Sequence, residues 1–157
     1  MVERGRIAKI VFDEKCPIYR SPQVQHELKV ATFDLLEENT FALKGLEPGE
    51  YHLYLSIVET RLKFDVRAPS GESISKFFLR SNSLRKVIKD YFLICESYFD
   101  AIKTKTPSQI EVIDMGRRGV HNEGAELLRE RLAEWVEVDE LTARRLFTLV
   151  CVLNIRG

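Results

Sequence analysis

Residues 51–67 read Tyr-His-Leu-Tyr-Leu-Ser-Ile-Val-Glu-Thr-Arg-Leu-Lys-Phe-Asp-Val-Arg, and this stretch decides the predicted fold class. Apolar and polar side chains alternate on both sides of Glu59-Thr60, which is the two-residue period of β-strands. A two-residue turn at Glu59-Thr60 gives a register that pairs apolar residues across the hairpin: Ile57 with Leu62, Leu55 with Phe64, and Leu53 with Val66. All six side chains then share one face. The stretch therefore predicts an antiparallel hairpin with one buried face, although Glu-Thr is a poor hairpin turn sequence.

The flanking patterns add strands before and after this hairpin and helices towards the C-terminus. Strands are predicted near Ile7–Phe12 and over Ile74–Arg80, and helices over Pro22–Glu38, from Ser83 through Ile102, from Thr106 to about Met115, from about Glu123 to Glu134, and from Asp139 to about Asn154. We therefore expect one α+β domain over residues 1–157. It should have an antiparallel sheet of three to five strands, about four or five helices and a helical C-terminal half.

The last predicted helix is apolar on nearly all sides, since residues 146, 147, 149, 150, 152 and 153 are all apolar. Such a helix has no solvent-facing side, so we expect it at the centre of the fold or in a dimer interface. A homodimeric structural protein is accordingly one of the functional alternatives.

The charge balance argues against a dedicated nucleic-acid binder. Lysine and arginine number 24, aspartate and glutamate also number 24, and the formal net charge is zero. Nucleic-acid-binding domains usually carry a basic excess. Two local basic clusters remain, Arg80, Arg85, Lys86 and Lys89 at the start of the long helix, and Arg144 with Arg145. Solvated helix faces are their main interpretation, and binding of RNA or of an acidic partner is the alternative.

No cofactor or metal is predicted. The cysteines, Cys16, Cys95 and Cys151, are odd in number and lack CxxC spacing, so neither a disulfide framework nor a zinc site is indicated. Cys95 and Cys151 lie in apolar helical patterns and are expected in the core. The histidines His26, His52 and His121 are far apart, and no HxxxH motif is present.

The same residues predict a cytoplasmic protein that does not span a membrane. The first ten residues are charged and lack the apolar segment of a secretory signal. The longest apolar run, Leu146–Leu153, has about eight residues, whereas a membrane span needs about 20. Free cysteines fit a reducing compartment.

The segment most suggestive of a site is Asp-Met-Gly-Arg-Arg-Gly-Val-His-Asn-Glu-Gly, residues 114–124. Gly116 and Gly119 would each destabilise a continuous helix by about 1 kcal/mol relative to alanine. The segment therefore predicts a break between two helices, with Asn122 as the N-cap of the second and Glu123 in its first turn. If the helix instead runs through, Asp114, Arg117, Arg118 and His121 share one face.

Three interpretations of this segment stay open. The plainest is an interhelical turn in which Arg118 pairs with Asp114. The leading functional hypothesis is a cytoplasmic binding or regulatory protein that recognises an anionic small molecule or an acidic partner. It would use residues typical of anion sites: Gly116, Arg117, Arg118, Gly119, His121 and Asn122. The alternative is a hydrolase or phosphoryl-handling enzyme, with His121 as acid–base and Asp114 or Glu123 as its partner.

Several long strings also resemble a known family. They are Phe-Asp-Leu-Leu-Glu-Glu-Asn (33–39), Lys-Asp-Tyr-Phe-Leu-Ile-Cys-Glu-Ser-Tyr (89–98), Thr-Pro-Ser-Gln-Ile-Glu (106–111), and residues 113–124 and 142–153. In order and spacing the chain resembles a bacterial family known as uncharacterised protein family 0262. The resemblance covers nearly the whole chain and implies a cytoplasmic bacterial protein of this length. It implies no activity, ligand or catalytic residue.

Overall fold

The computed structural model describes residues 5–12, 22–59, 61–80 and 82–153. Its elements, in chain order, are β1 (Arg6–Phe12), α1 (Pro22–Glu37), β2 (Phe41–Leu43), β3 (Glu50–Val58), β4 (Arg61–Arg67), β5 (Ser73–Arg80), α2 (Asn82–Thr104), α3 (Pro107–Leu132), β6 (Val136–Val138) and α4 (Glu140–Leu153). The predicted α+β class with a helical C-terminal half is confirmed. The predictions for Cys16 and for the helix end at Asn154 lie outside the described residues.

The β3–β4 hairpin has the predicted register. Ile57 pairs with Leu62, and the two other predicted apolar pairs form as well. At the turn, Glu59 has a φ of 61°, in the left-handed region that two-residue hairpin turns require. A glutamate in that region is strained by about 1 kcal/mol or more, so packing of the apolar face outweighs the unfavourable turn sequence.

The main sheet has the order β1-β3-β4-β5 and is mixed rather than purely antiparallel. Strand β1 lies parallel to β3, and the other neighbouring pairs are antiparallel. The connection between β1 and β3 contains α1, and a crossover of that kind returns the chain in the same direction. The first strand was therefore predicted at the right place, and its direction follows from the helix after it.

Asn39 joins the end of α1 to β1. Its Oδ1 accepts a hydrogen bond of 2.7 Å from the Ile7 amide, and its Nδ2 donates to the Ile7 carbonyl at 2.9 Å. The same Nδ2 donates to the Leu35 carbonyl at 2.8 Å. Asn39 therefore both ends α1 and satisfies a backbone pair on the edge of β1.

The sequence reading missed two short strands, β2 and β6. They form a separate antiparallel pair in which Phe41 faces Val138 and Leu43 faces Val136. Each strand has three residues, too few for an alternating pattern to be recognised. The pair is made by residues about a hundred positions apart, so it depends on tertiary structure.

The core lies between one face of the main sheet and the helices. Phe64, Phe77 and Trp135 form a stack there, with ring centroids 5.1 Å and 4.8 Å apart. Helix α4 is buried on most sides within a single chain, and the Asp139 carboxylate caps it by accepting from the Thr142 amide at 2.8 Å. This confirms the predicted central position of the helix, and it leaves the dimer alternative without support from α4.

None of the four described helices combines the length and apolar character that a membrane span requires.

Candidate functional site

The polar segment 114–124 lies inside one continuous helix, so the predicted break is wrong. Helix α3 begins at a capping box in which the Thr106 hydroxyl accepts from the Gln109 amide and the Gln109 side chain accepts from the Thr106 amide. It then runs without interruption to Leu132. Asn122 is therefore not an N-cap, and the amides that follow it are bonded within the helix.

Packing explains why two glycines do not break α3. After the segment, Ala125, Leu128 and Leu132 are buried in the core, and Gly124 lies against the ring of Phe147 in α4. Burying leucine side chains contributes about 1.5–3 kcal/mol each, which exceeds the penalty of about 2 kcal/mol for the two glycines. The third glycine of the segment thus serves helix–helix contact and not a turn.

The continuous helix brings the charged residues of the segment onto one face. Arg117 donates from Nε at 3.0 Å and from Nη2 at 2.6 Å to Oδ1 of Asp114. Arg118 reaches Oδ2 of the same carboxylate with Nη2 at 3.2 Å. The hydrogen bond from Arg117 is the main cause that lowers the pKa of Asp114 below its usual range. Two guanidinium groups share one carboxylate, so the cluster carries one net positive charge.

Arg117 and Arg118 differ in where they point. The Arg117 guanidinium lies over the Tyr98 ring of α2, 4.3 Å from its centroid, and only 32% of the side chain is exposed. The Arg118 side chain is 61% exposed. Gly119, Asn122 and Gly116 are also exposed. Among the predicted binding residues, Arg117 is therefore the one whose charged group points towards the protein interior.

His121 is packed between aromatic rings. Its ring centroid lies 5.3 Å from that of Tyr91 and 5.4 Å from that of Phe147, and its Nε2 is 2.7 Å from the Thr148 hydroxyl. That hydroxyl donates to the Arg144 carbonyl at 3.2 Å, so it is available to accept from Nε2. Burial, reinforced by the charges of Arg144 and Arg117, lowers the pKa of His121 to about 4. His121 is neutral at pH 7.

The catalytic hypothesis gains nothing from this arrangement. It predicts a carboxylate beside His121, but Thr148 is the hydrogen-bond partner found in the described part of the chain. Asp114 is occupied by two arginines, and Glu123 is exposed. A general base for reactions near neutral pH also needs a pKa nearer neutrality than about 4.

A cavity of about 590 Å³ lies between all four helices, and sequence reasoning missed it. Its lining is mostly apolar and includes the aromatic residues Tyr91, Phe92 and Phe99. Charged residues also line it: Arg117 from α3, Arg145 from α4, Asp34 from α1, and Glu96 and Asp100 from α2. Only Arg117 comes from the polar segment, because the cavity is formed by residues distant in sequence.

Arg145 is the second arginine of the cavity. Its Nη1 donates to the carbonyls of Asp34 at 2.6 Å and of Glu38 at 2.8 Å, at the C-terminal end of α1. The prediction of a solvated Arg144-Arg145 cluster is therefore wrong for Arg145, which is only partly exposed. The available signal was a pair of adjacent arginines, Arg144 and Arg145, on a helix otherwise apolar nearly all round.

Both described cysteines line the same cavity, and neither forms a disulfide. Cys151 is buried, and burial raises the pKa of its thiol. Cys95, predicted in the core, is only half-buried. Among the residues that the structure describes, no group of three histidine, cysteine or acidic side chains is placed to hold a metal ion.

Comparison with known proteins places the chain in one family. The family model described as "Uncharacterised protein family (UPF0262)" matches residues 4–156. The UPF0262 protein of Paramagnetospirillum magneticum is 55% identical over 157 residues, which is 100% of both chains. That of Rhodospirillum rubrum is 55% identical over 99% of this chain and 96% of its own, and that of Ruegeria sp. is 52% identical over 98% and 99%. No solved structure matches the chain.

Proposed function

The chain belongs to the uncharacterised protein family UPF0262, and we propose that it is a non-enzymatic binding protein of the bacterial cytoplasm. Its ligand would be a small amphipathic molecule with an anionic group, held in the cavity between the four helices. One observation carries the proposal: the Arg117 guanidinium, from the charged cluster of α3, lies on the wall of a mostly apolar cavity.

Both cavity arginines keep hydrogen-bond donors available for an anion. Within the described part of the chain, Arg117 uses Nε and Nη2 for Asp114, which leaves its Nη1 for a ligand. Arg145 uses Nη1 for two carbonyls there, which leaves its Nε and Nη2. Guanidinium groups bind carboxylate and phosphate oxygens in pairs. Because Arg118 shares the charge of Asp114, Arg117 is not fully neutralised within its own cluster.

The volume and apolar lining of the cavity determine the size and apolar character of the ligand. A volume of about 590 Å³ lies within the roughly 300–1,000 Å³ typical of small-molecule sites. Tyr91, Phe92 and Phe99 offer aromatic surface, on which a ring or a branched aliphatic group would pack. A strongly hydrated polyanion would leave this surface unused.

The acidic residues of the cavity further restrict the class of ligand that fits. Asp34, Glu96 and Asp100 line it together with the two arginines, so they would repel a molecule that carries only negative charge. A ligand with an anionic group near Arg117 and an amino group near these carboxylates satisfies both sets. We therefore favour zwitterionic molecules with an apolar side group, such as amino-acid or dipeptide derivatives.

The remaining residues of the polar segment take supporting roles in this proposal. Arg118 balances Asp114, and His121 holds Thr148, a cavity residue, through its Nε2. Gly116, Gly119 and Asn122 are exposed outside the cavity. They would contact only an acidic protein partner that docks on α3, which is the second form of the binding hypothesis.

Thermal unfolding with a ligand panel tests the proposal. The panel contains apolar amino acids and dipeptides, aromatic carboxylates, phosphorylated metabolites and nucleotides. A ligand at about 100 times its Kd stabilises the fold by about 2.7 kcal/mol, which raises Tm by roughly 5–10 °C in a domain of this size. We expect such a shift with the zwitterionic group of compounds.

A matched pair of variants locates the site. Arg117→Met removes the cavity cation and should abolish the shift, whereas Arg118→Met removes the exposed cation that shares Asp114 and should reduce the shift only in part. No shift with any panel member would refute the small-molecule proposal. Equal losses in the two variants would refute the assignment of Arg117.

A further inference from the structure

The main sheet has a second face that carries a cationic surface independent of the cavity. Along β3 to β5, apolar side chains on the core face alternate with residues on the opposite face, of which Ser56 and Asp65 are also buried. The strand register places three cross-strand rows on that outer face, Val58–Arg61–Arg80, Ser56–Lys63–Phe78 and Tyr54–Asp65–Lys76, and the pair His52–Arg67 follows them. The exposed surface of these rows is here called the outer sheet face.

The outer sheet face is strongly basic. Its three rows and the following pair contain five lysines and arginines and one acid, Asp65. Asp65 is buried, and its carboxylate accepts from Arg67 at 2.9 Å and from the Ser73 hydroxyl at 3.0 Å. Arg61 and Lys76 are exposed. These rows and the pair therefore carry a net charge of +4 in a protein whose total formal charge is zero. At the sheet edge, Glu130 of α3 and Glu134, which follows that helix, lie beside Phe78 and Arg80.

Aromatic rings lie among these cations. The Arg61 guanidinium stands over the Phe78 ring, 4.4 Å from its centroid, and that of Arg67 stands over the Tyr54 ring at 4.0 Å. Phe78 is 37% exposed on an edge strand. Both aromatic rings and guanidinium planes are surfaces on which unpaired bases stack. A stacked pair presents such a plane and a positive charge at the same place.

We propose that the outer sheet face binds single-stranded nucleic acid. The cations Arg61, Lys63 and Lys76 would contact phosphates, and the stacked pairs at Phe78 and Tyr54 would contact bases. Charge complementarity selects a polyanion, and the exposed ring with its guanidinium selects one with flat, unstacked bases over an acidic peptide. In a duplex the base faces are already stacked on each other, so a duplex could contact only the cations of this surface.

The dimensions suit a short strand of nucleotides. Strand β4 advances by about 20 Å from Arg61 to Arg67, at about 3.3 Å per residue. Small β-structured domains bind single strands of about four nucleotides or more. A net charge of zero does not conflict with this binding, because the attraction depends on the local surface and falls off over about 10 Å at 0.1 M salt.

Fluorescence anisotropy with a labelled 12-nucleotide oligouridylate, and with its oligothymidylate counterpart, tests the proposal in 50 mM KCl. We expect saturable binding by the full-length chain. With three to four phosphate contacts, the affinity should fall by roughly 20- to 50-fold between 50 and 200 mM KCl. The double variant Arg61→Gln/Lys63→Gln should bind at least tenfold more weakly, and Phe78→Leu about fivefold more weakly.

The matched control is Arg85→Gln/Lys86→Gln, which removes two exposed cations from α2 and should change the affinity less than twofold. Far-UV circular dichroism and the melting temperature verify that each variant is folded, and Lys76→Gln provides a second, single-site test. Absence of binding at 100 μM protein would overturn the proposal. So would equal losses in the two double variants, an unchanged affinity in Phe78→Leu, equally tight binding of a duplex, or equally effective competition by polyglutamate.

Discussion

Gly124 in α3 and Phe147 in α4 touch because Gly124 has no side chain: a Cβ there would overlap the Phe147 ring. Phe147 is fully buried, and its ring is held by those of Tyr91 and His121. We expect Gly124→Ala to destabilise the protein. Overpacking costs about 1–3 kcal/mol, and alanine's helix propensity offsets at most about 1 kcal/mol of it. Urea unfolding monitored by circular dichroism measures the difference.

The control for Gly124→Ala lies five residues earlier on the same helix. A Cβ at Gly119 would meet nothing within 4 Å, and the residue is exposed. Gly119→Ala should therefore stabilise the protein by about 0.5–1 kcal/mol, the opposite sign. A loss of stability in Gly119→Ala would mean that the chain turns at this glycine, and the continuous α3 would have to be abandoned.

A second pair of substitutions distinguishes the true helix start from the predicted one. Thr106 caps α3, so Thr106→Ala should lower the free energy of unfolding by about 1 kcal/mol. Asn122 is exposed in the middle of the helix, where Asn122→Ala should raise that free energy by a few tenths of a kcal/mol. If Asn122→Ala instead lowered the free energy of unfolding about as much as Thr106→Ala, a second helix would begin at residue 122.

Local patterns predicted most of the fold because each pattern is repeated along its own element. The β3–β4 register follows from alternation in residues 51–67 alone, and the start of α3 follows from Thr106-Pro107. The continuity of α3 cannot be predicted from a local pattern, because it depends on the contact of Gly124 with Phe147, 23 positions away. The direction of β1 and the pairing of Phe41 with Val138 likewise depend on where other elements lie.

The candidate site was less predictable for the same reason. The polar segment predicted Arg117 as a binding residue and the pair of Arg118 with Asp114, but the nearer partner of Asp114 is Arg117. The cavity that Arg117 reaches is assembled from four helices, and Arg145 joins it only because α4 crosses the end of α1. Amino-acid composition does not predict which distant residues converge on a cavity. A net charge of zero likewise does not predict that cations cluster on the outer sheet face.

Asn39 provides a test of how firmly α1 is tied to the sheet. Asn39→Ala would leave the Ile7 amide and carbonyl without their side-chain partner at a half-buried position. Unsatisfied buried groups cost about 1–3 kcal/mol each, so we expect a loss of about 2–4 kcal/mol in urea unfolding. Asn39→Asp keeps the acceptor for the Ile7 amide but turns a second carboxylate oxygen towards the Ile7 and Leu35 carbonyls, so it should lose at least as much stability as Asn39→Ala. A loss below 0.5 kcal/mol in Asn39→Ala would show that this bridge contributes little.

His121 should make the stability of the protein depend on pH. Its pKa is lowered from an ordinary 6.5 to about 4, first by burial and then by the charges of Arg144 and Arg117. In the unfolded chain His121 takes up a proton below pH 6.5, whereas in the folded chain it does so only near pH 4. The stabilisation by the neutral ring is therefore complete above pH 6.5 and is lost as the pH falls from 6.5 to 4.

Urea unfolding at pH 7.0 and pH 4.5 measures this loss, and His121→Gln is the matched variant because its amide does not titrate and can still donate to Thr148. Between the two pH values the free energy of unfolding of wild type should fall by roughly 1–2 kcal/mol more than that of His121→Gln, a range that allows for solvent screening of the partly exposed ring. Carboxylates contribute equally to both proteins and cancel in the comparison. An equal loss in wild type and variant would mean that His121 is solvated and titrates normally, which contradicts its position between Tyr91 and Phe147.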